Sequence, residues 1–357
     1  VATTAPPSEA PSTSDERVRE VGFVQRLLVL PGTGAVLITI LLWTFFAIVA
    51  SGNNFVSWSA TAAILNRAAP LGILAIAVCL LMIGGEFDLS IGSIIGFSGM
   101  AIMLGVTPSD AGGFGWPLWI AVLVALILAL LIGVFNGMLV VTTRLPSFIV
   151  TLGSLFIFRG LAIAITRQRT NRTQLGNLDE ADGFGFWDTL FGTEISLFGA
   201  SFDMAILWWV GLVVIATWIL SRTEWGNWIF GTGGAQEAAR NVGVPTRRVK
   251  VILFMTTAFA GFLVALIQAV QFTGSDALRG TLQEFNAIIA VVVGGTLLTG
   301  GYGSAVGAFF GALAFATLQQ GVIIWGVDAD WFRVFVGGLL VVAVVFNNYI
   351  RQRAARR

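Results

Sequence analysis

Apolar stretches of similar length follow one another along most of this chain, separated by short polar joints. They fall at about 35–51, 68–85, 90–106, 117–142, 147–165, 204–220, 250–272, 284–298, 303–325 and 331–349. Each approaches the roughly 20 residues an α-helix needs to cross a bilayer. The pattern predicts an all-α polytopic membrane protein of about ten spanning helices. Two joints differ from the rest. GGEFDLSIG parts 68–85 from 90–106, and GGYGS parts 284–298 from 303–325. Each predicts two short spans or a broken helix with a re-entrant turn. NFVSWSATAAILN, residues 54–66, reads as an interfacial helix with Phe55 and Trp58 at headgroup level. Pro, Ser, Thr and charge near the start make residues 1–30 a disordered tail. The membrane domain is then 31–350, and 351–357 is a basic tail.

Composition sharpens the picture. Of 357 residues, 56% are apolar and 11% charged, with mean hydropathy +0.88; a soluble domain carries about 25% charge. An ordinary soluble fold is excluded, and an outer-membrane barrel gives a weaker, alternating signal. With the N-terminus inside and ten spans, the C-terminus also lies inside. Thirteen of the 20 basic residues then fall inside and six outside, with Arg159 within a span, as the positive-inside rule requires. Histidine is absent and Cys79 stands alone, which excludes a zinc hydrolase and a histidine-ligated haem. No GxxxxGK[ST] loop exists, and Lys250 is the only lysine, so the chain does not hydrolyse ATP by itself. No nucleophile–base pair assembles without histidine or a second lysine.

An internal repeat joins the two unusual splits. GGEFDLSIGSIIG (84–96) resembles GGTLLTGGYGSAVG (294–307), and Asn136 and Gln320 each precede a glycine farther on. Repeats of this kind place a solute route at their interface, built on discontinuous helices. Glu86 and Asp88 lie between two apolar spans, where facing lipid costs at least about 2.5–3.5 kcal/mol. They serve as a helix cap, as a polar lining, or as both. A polar solute needs hydrogen-bonding partners along such a route, so the candidate path residues are Glu86, Phe87, Asp88 and Ser90 from the first copy and Thr296 and Thr299 from the second, with Asn136 and Gln320. For Asn136 and Gln320, helix–helix hydrogen bonding is the competing role. Arg159 reads as a snorkelling residue or half of an ion pair, with Asp88 a possible partner. Gln236–Val242 predicts a short amphipathic helix that Gly243 stops in a left-handed conformation and Pro245 cannot extend. It lies on lipid or docks on a partner.

Four ordered blocks then carry a resemblance: EFDLSIGS (86–93), GVFNGMLVVTTRLPSFIVTLGSLFIFRG (133–160), EAARNVGVPTRRVK (237–250) and VVVGGTLLTGGYGSAVGAFFGAL (291–313). Over about residues 35–350 the chain resembles permease subunits of bacterial carbohydrate-uptake ABC transporters of the ribose, xylose and galactose type. The resemblance implies a multi-pass protein of the bacterial cytoplasmic membrane that pairs with a second permease copy. It implies a cytoplasmic ATP-binding subunit, which uses the ATP and magnesium, and an extracytoplasmic sugar-binding protein. No cofactor is expected on this chain, and no nucleic acid. Within a coupling loop at 221–250, it makes Glu237, Ala238, Ala239, Arg240 and Gly243 the ATPase-coupling residues. Relatives usually read Gly-Gly-Ile-Asp-Leu-Ser where this chain has Gly85-Glu86-Phe87-Asp88-Leu89-Ser90. The rival readings are an ABC permease for a branched-chain amino acid or nucleoside, and a self-sufficient secondary transporter or channel. The scarcity of ionisable residues in the spans weakens ion coupling.

Overall fold

The computed structural model describes residues 32–355. The tail expected at 1–30 lies outside the described residues. From Thr33 onward the apolar pattern becomes helices: α1 Thr33–Val49, α2 Trp58–Ile83, α3 Ile91–Val106, α4 Leu118–Thr143 and α5 Ser147–Thr170. A polar stretch then holds two small antiparallel ladders. β1 (Gln174–Leu175) pairs with the distant Ser275–Asp276, and β2 (Glu194–Leu197) forms a hairpin with β3 (Ala200–Asp203). Helices resume with α6 Ala205–Arg222, α7 Glu224–Gly234, α8 Gln236–Asn241 and α9 Thr246–Gln271. Ser275–Asp276 is β4, and the chain ends in α10 Gln283–Val293, α11 Ala305–Trp325 and α12 Phe332–Ala355.

Among the described residues, six helices are long and apolar enough to cross a membrane: α2, α4, α5, α6, α9 and α11. Shorter apolar helices are α1, α3, α10 and the Phe332–Val345 part of α12. Burial ranks them. The most apolar stretch of α2 is 78% buried and that of α6 only 17%, so α2 is the axis of the bundle and α6 its skin. The expected interfacial helix at 54–66 does not form separately. Ser57 caps α2, its hydroxyl accepting from Ala60 N at 3.1 Å, and the helix runs on past Asn66. That polar residue is satisfied by β3, donating to Ser201 O and accepting from Asp203 N. Phe55 is buried against Phe46, while Trp58 stays exposed and stacks on Phe198.

Both breaks are real, and the helices before them end alike. After α2, Gly85 N donates to Met82 O and Glu86 N to Leu81 O; after α10, Gly295 N donates to Val292 O and Thr296 N to Val291 O. Gly85 and Gly295 sit at φ 84° and 87°, where a Cβ is penalised. This is one Schellman cap, written twice, and it supports the repeat. The copies differ in the joint that follows, which runs from 84 to 90 in the first and from 294 to 304 in the second.

The two joints meet at one end of the bundle. Gly301 N donates to Ile83 O at 2.8 Å. Gly233, the penultimate residue of α7, packs its backbone on Ile83, Gly84 and Gly301, so closely that a Cβ on it would overlap the Ile83 carbonyl oxygen. Lys250 lies at this end, and the β2–β3 hairpin at the other.

Candidate functional site

The joint after α2 is held by side chains from three other helices. Asp88 is fully buried. Its Oδ1 accepts from Ser90 N at 2.8 Å and Ser90 Oγ at 2.6 Å, and its Oδ2 accepts from Thr257 Oγ1 of α9 at 2.5 Å. Asn136 of α4 donates to Ser90 Oγ at 2.9 Å and accepts from Ser154 Oγ of α5 at 2.5 Å. Phe87 N and Leu89 N donate to Ser147 Oγ and Thr151 Oγ1 of α5. In a membrane interior an unpaired N–H is costly, and these hydroxyls replace the helix bonds that the break removes. Asp88 thus caps through a local turn onto Ser90, and Ser90 itself makes no side-chain cap to α3.

Glu86 faces another way. It accepts from Lys250 Nζ at 2.5 Å, and the same ammonium donates to Gln236 Oε1 at 2.8 Å. The one lysine of the chain therefore ties the joint after α2 to the first residue of α8 and to the base of α9. Beside it opens a cavity of about 510 Å3, lined by Glu86, Arg144, Gln236, Glu237, Arg240 and Arg247 among others. α8 matches its expected bounds closely. Gly243 takes φ 92°, and Val244 N closes back on Ala239 O. Glu237, Ala238, Arg240 and Gly243 are exposed, Ala239 is buried, and Val242 at the end of the helix is 80% exposed.

The remaining candidates separate. Glu86, Phe87, Asp88, Ser90 and Asn136 come together around the first joint. Thr296 is buried against α2 instead, its Oγ1 at 3.3 Å from Cys79 Sγ. Thr299 is exposed in the second joint, and Gln320 lies within α11 with a buried, unpartnered Oε1. Arg159 does not reach Asp88. It donates to Thr281 Oγ1 and to Leu278 O. Sequence reasoning overlooked Lys250, although a lone lysine and a lone extra carboxylate at the same end were available as a signal. It also overlooked Ser147, Thr151, Ser154 and Thr257, whose small hydroxyls disappear in an apolar average.

With this geometry in view, comparison with known proteins is decisive. The family described as "Branched-chain amino acid transport system / permease component" matches residues 60–344. The chain belongs to that family. Its members are transport permease subunits, not enzymes, and this chain is accordingly a multi-pass membrane protein. Within the family, the xylose/arabinose import permease protein XylH of Sulfolobus acidocaldarius is 32% identical over 317 residues, covering 85% of this chain and 79% of that one. The xylose transport system permease protein XylH of Escherichia coli K12 is 29% identical over 343 residues, covering 82% and 85%. The ribose import permease protein RbsC of the same organism is 28% identical over 289 residues, covering 80% and 84%. No solved structure matches the chain.

Proposed function

We propose that this chain is the permease of an ATP-driven importer for a monosaccharide or a related polyol in a bacterial cytoplasmic membrane. It crosses the bilayer in ten segments with both termini inside, and works as a pair of copies. A cytoplasmic ATP-binding subunit docks on α8 and supplies all ATP and magnesium chemistry. An extracytoplasmic binding protein delivers the sugar to the opposite face. The single observation that carries this reading is α8: an exposed short helix, ending in the bare Val242, whose first residue is bonded through Lys250 to a broken membrane helix. The family description names amino acids. The relatives quoted above are named for sugars, and this supports a sugar as cargo.

The mechanism follows from the contacts. Closure of the ATPases pushes α8. The push reaches the first joint through Lys250 and Glu86, and both joints through Gly233. The Asp88 network holds the far side of the first joint to α4, α5 and α9, so the joint moves as a unit. The test is reconstitution in vesicles with the ATPase and the binding protein. ATP-dependent uptake of a pentose or hexose is expected. Uptake of leucine instead, or sugar uptake without the ATPase, would overturn the reading.

A further inference from the structure

The chain between α9 and α10 is not helical, and its depth is unusual. α10 has 11 residues, a length of about 16 Å, or half of a roughly 30 Å hydrocarbon layer. It ends in the same cap as α2, which is long enough to span. It therefore begins near mid-membrane, and residues 272–282 descend to that depth as extended and turn backbone. They lie in a groove of α3. Ser275 abuts Gly99, the carbonyls of Ala277 and Arg279 abut Gly96, and the Gly280 carbonyl abuts Gly92.

Non-helical backbone at membrane depth must be buried in protein or line a watery cavity. Here one side is covered by α3, and the other is open: Leu278 is 55% exposed, and Thr281 and Leu282 are exposed as well. Arg159 stands over this open side. It is the thirteenth residue of α5, about 18 Å along the helix, so it too lies near mid-membrane. Both its bonds, to Thr281 and Leu278, use Nη1. Among the described residues no carboxylate is within ion-pair reach of it. A guanidinium has five N–H donors, and one facing lipid is costly. Below it, at the start of α10, Glu284 is only 4% exposed, and its Oε2 has no hydrogen-bond partner. That oxygen rests against the Cα of Gly92.

We infer that this station, Arg159 with Thr281, Leu278, Leu282 and Glu284, holds the solute at mid-membrane, in place of the joint lined by Asp88. The inference rests on the reading of the chain as a sugar permease. A polyol hydroxyl both donates and accepts. Its oxygen accepts from the free N–H groups of Arg159, and its proton goes to Glu284 Oε2. Leu278 and Leu282 take the C–H face of the sugar. Glu284 is covered in this conformation, and its oxygen becomes available when the 272–282 segment shifts off Gly92. Arg159 and Glu284 lie near enough to act on each other electrostatically without closing an ion pair, which gives a polar but open site, suited to cargo that must leave again. In the Asp88 network, by contrast, both carboxylate oxygens already accept from protein donors.

The test uses the full permease with its ATPase and binding protein, in a Cys79→Ser background. Thr281→Cys and Leu278→Cys are expected to react with a water-soluble thiol reagent in at least one nucleotide state, and transported sugar should slow the reaction. Arg159→Gln is expected to lower sugar uptake at least tenfold while binding-protein-stimulated ATP turnover persists, and Glu284→Gln to raise the half-saturating sugar concentration. Unreactive cysteines in every state, or cross-linking of Thr281→Cys between two copies without aqueous labelling, would overturn the inference. So would unchanged uptake by Arg159→Gln, or loss of ATP turnover in parallel with uptake. Labelling at Thr281 reports on water access whatever the cargo, so a wrong sugar and a wrong site give different results.

Discussion

Asp88 shows how one buried carboxylate is tolerated at membrane depth. Its two oxygens receive three donors from Ser90 and Thr257, and no cation is needed to satisfy them. Asp88→Asn keeps the Ser90 bonds, and its amide can donate to Thr257 Oγ1, whose own proton already has Phe254 O as an acceptor. Asp88→Ala leaves buried donors empty, at about 1–3 kcal/mol each. The alanine variant should therefore melt well below the asparagine variant in detergent; equal melting would refute the cap. At the opposite end, Glu194 and Asp203 face each other across the hairpin. Burial, and then the Glu194 carboxylate, push the Asp203 pKa up. Asp203 then holds its proton more tightly folded than unfolded. The hairpin is most stable below the ordinary carboxylate range, and that stability is lost as pH rises through the raised value. Asp203→Asn should remove this dependence and add about 0.2–1 kcal/mol at neutral pH, read as slower amide exchange in residues 194–203.

Elements meet here through backbone rather than through bulky side chains. Gly233 touches both helix joints, and its Cβ would strike the same Ile83 carbonyl that accepts from Gly301 N. Neither partner can move without unpairing that bond. Gly233→Ala is expected to abolish a folded bundle or uncouple it. Gly231→Ala, two residues earlier, places its Cβ at 3.4 Å from Ala239 Cβ, an ordinary contact, and should be tolerated. Size-exclusion profiles and uptake of the two variants decide the matter. The Lys250 link predicts a charge-swap result. Glu86→Lys leaves two ammonium groups together, Lys250→Glu leaves two carboxylates, and the double variant restores an opposite pair. Breaking a buried pair costs about 3–5 kcal/mol, an upper figure for a pair at the rim of the bundle. Each single variant should turn over ATP with little uptake, and the double variant should regain uptake. A double variant no better than the singles would remove Glu86 and Lys250 from the coupling route.

At the scale of the whole molecule, what the chain leaves uncovered points to its partners. Val242 is a bare apolar residue beside the exposed Glu237 and Arg240. Val242→Asp should cut co-purification of the ATP-binding subunit at least tenfold without altering the yield of the permease; normal recovery of the complex would move the docking surface elsewhere. Hydropathy located ten apolar segments and the two interruptions, and glycine and proline chemistry located the short helix at 236–242 and the left-handed Gly243. These follow from local chemistry: hydrocarbon length, the Gly-Gly caps and a proline that stops a helix. The same reasoning split α2 at Asn66 and Arg67, because it had no means of knowing that β3 would satisfy Asn66. It placed Glu86 and Asp88 together in one lining, whereas the fold turns Glu86 toward Lys250, 164 residues away, and Asp88 toward Thr257, 169 away. It left residues 273–283 as an unassigned gap between two apolar segments, since polar composition looks the same at the membrane surface as in a re-entrant segment. Which polar residue ends in a network, in an ion pair or in an open crevice depends on helices that pack across the bundle, and that was decided only in three dimensions.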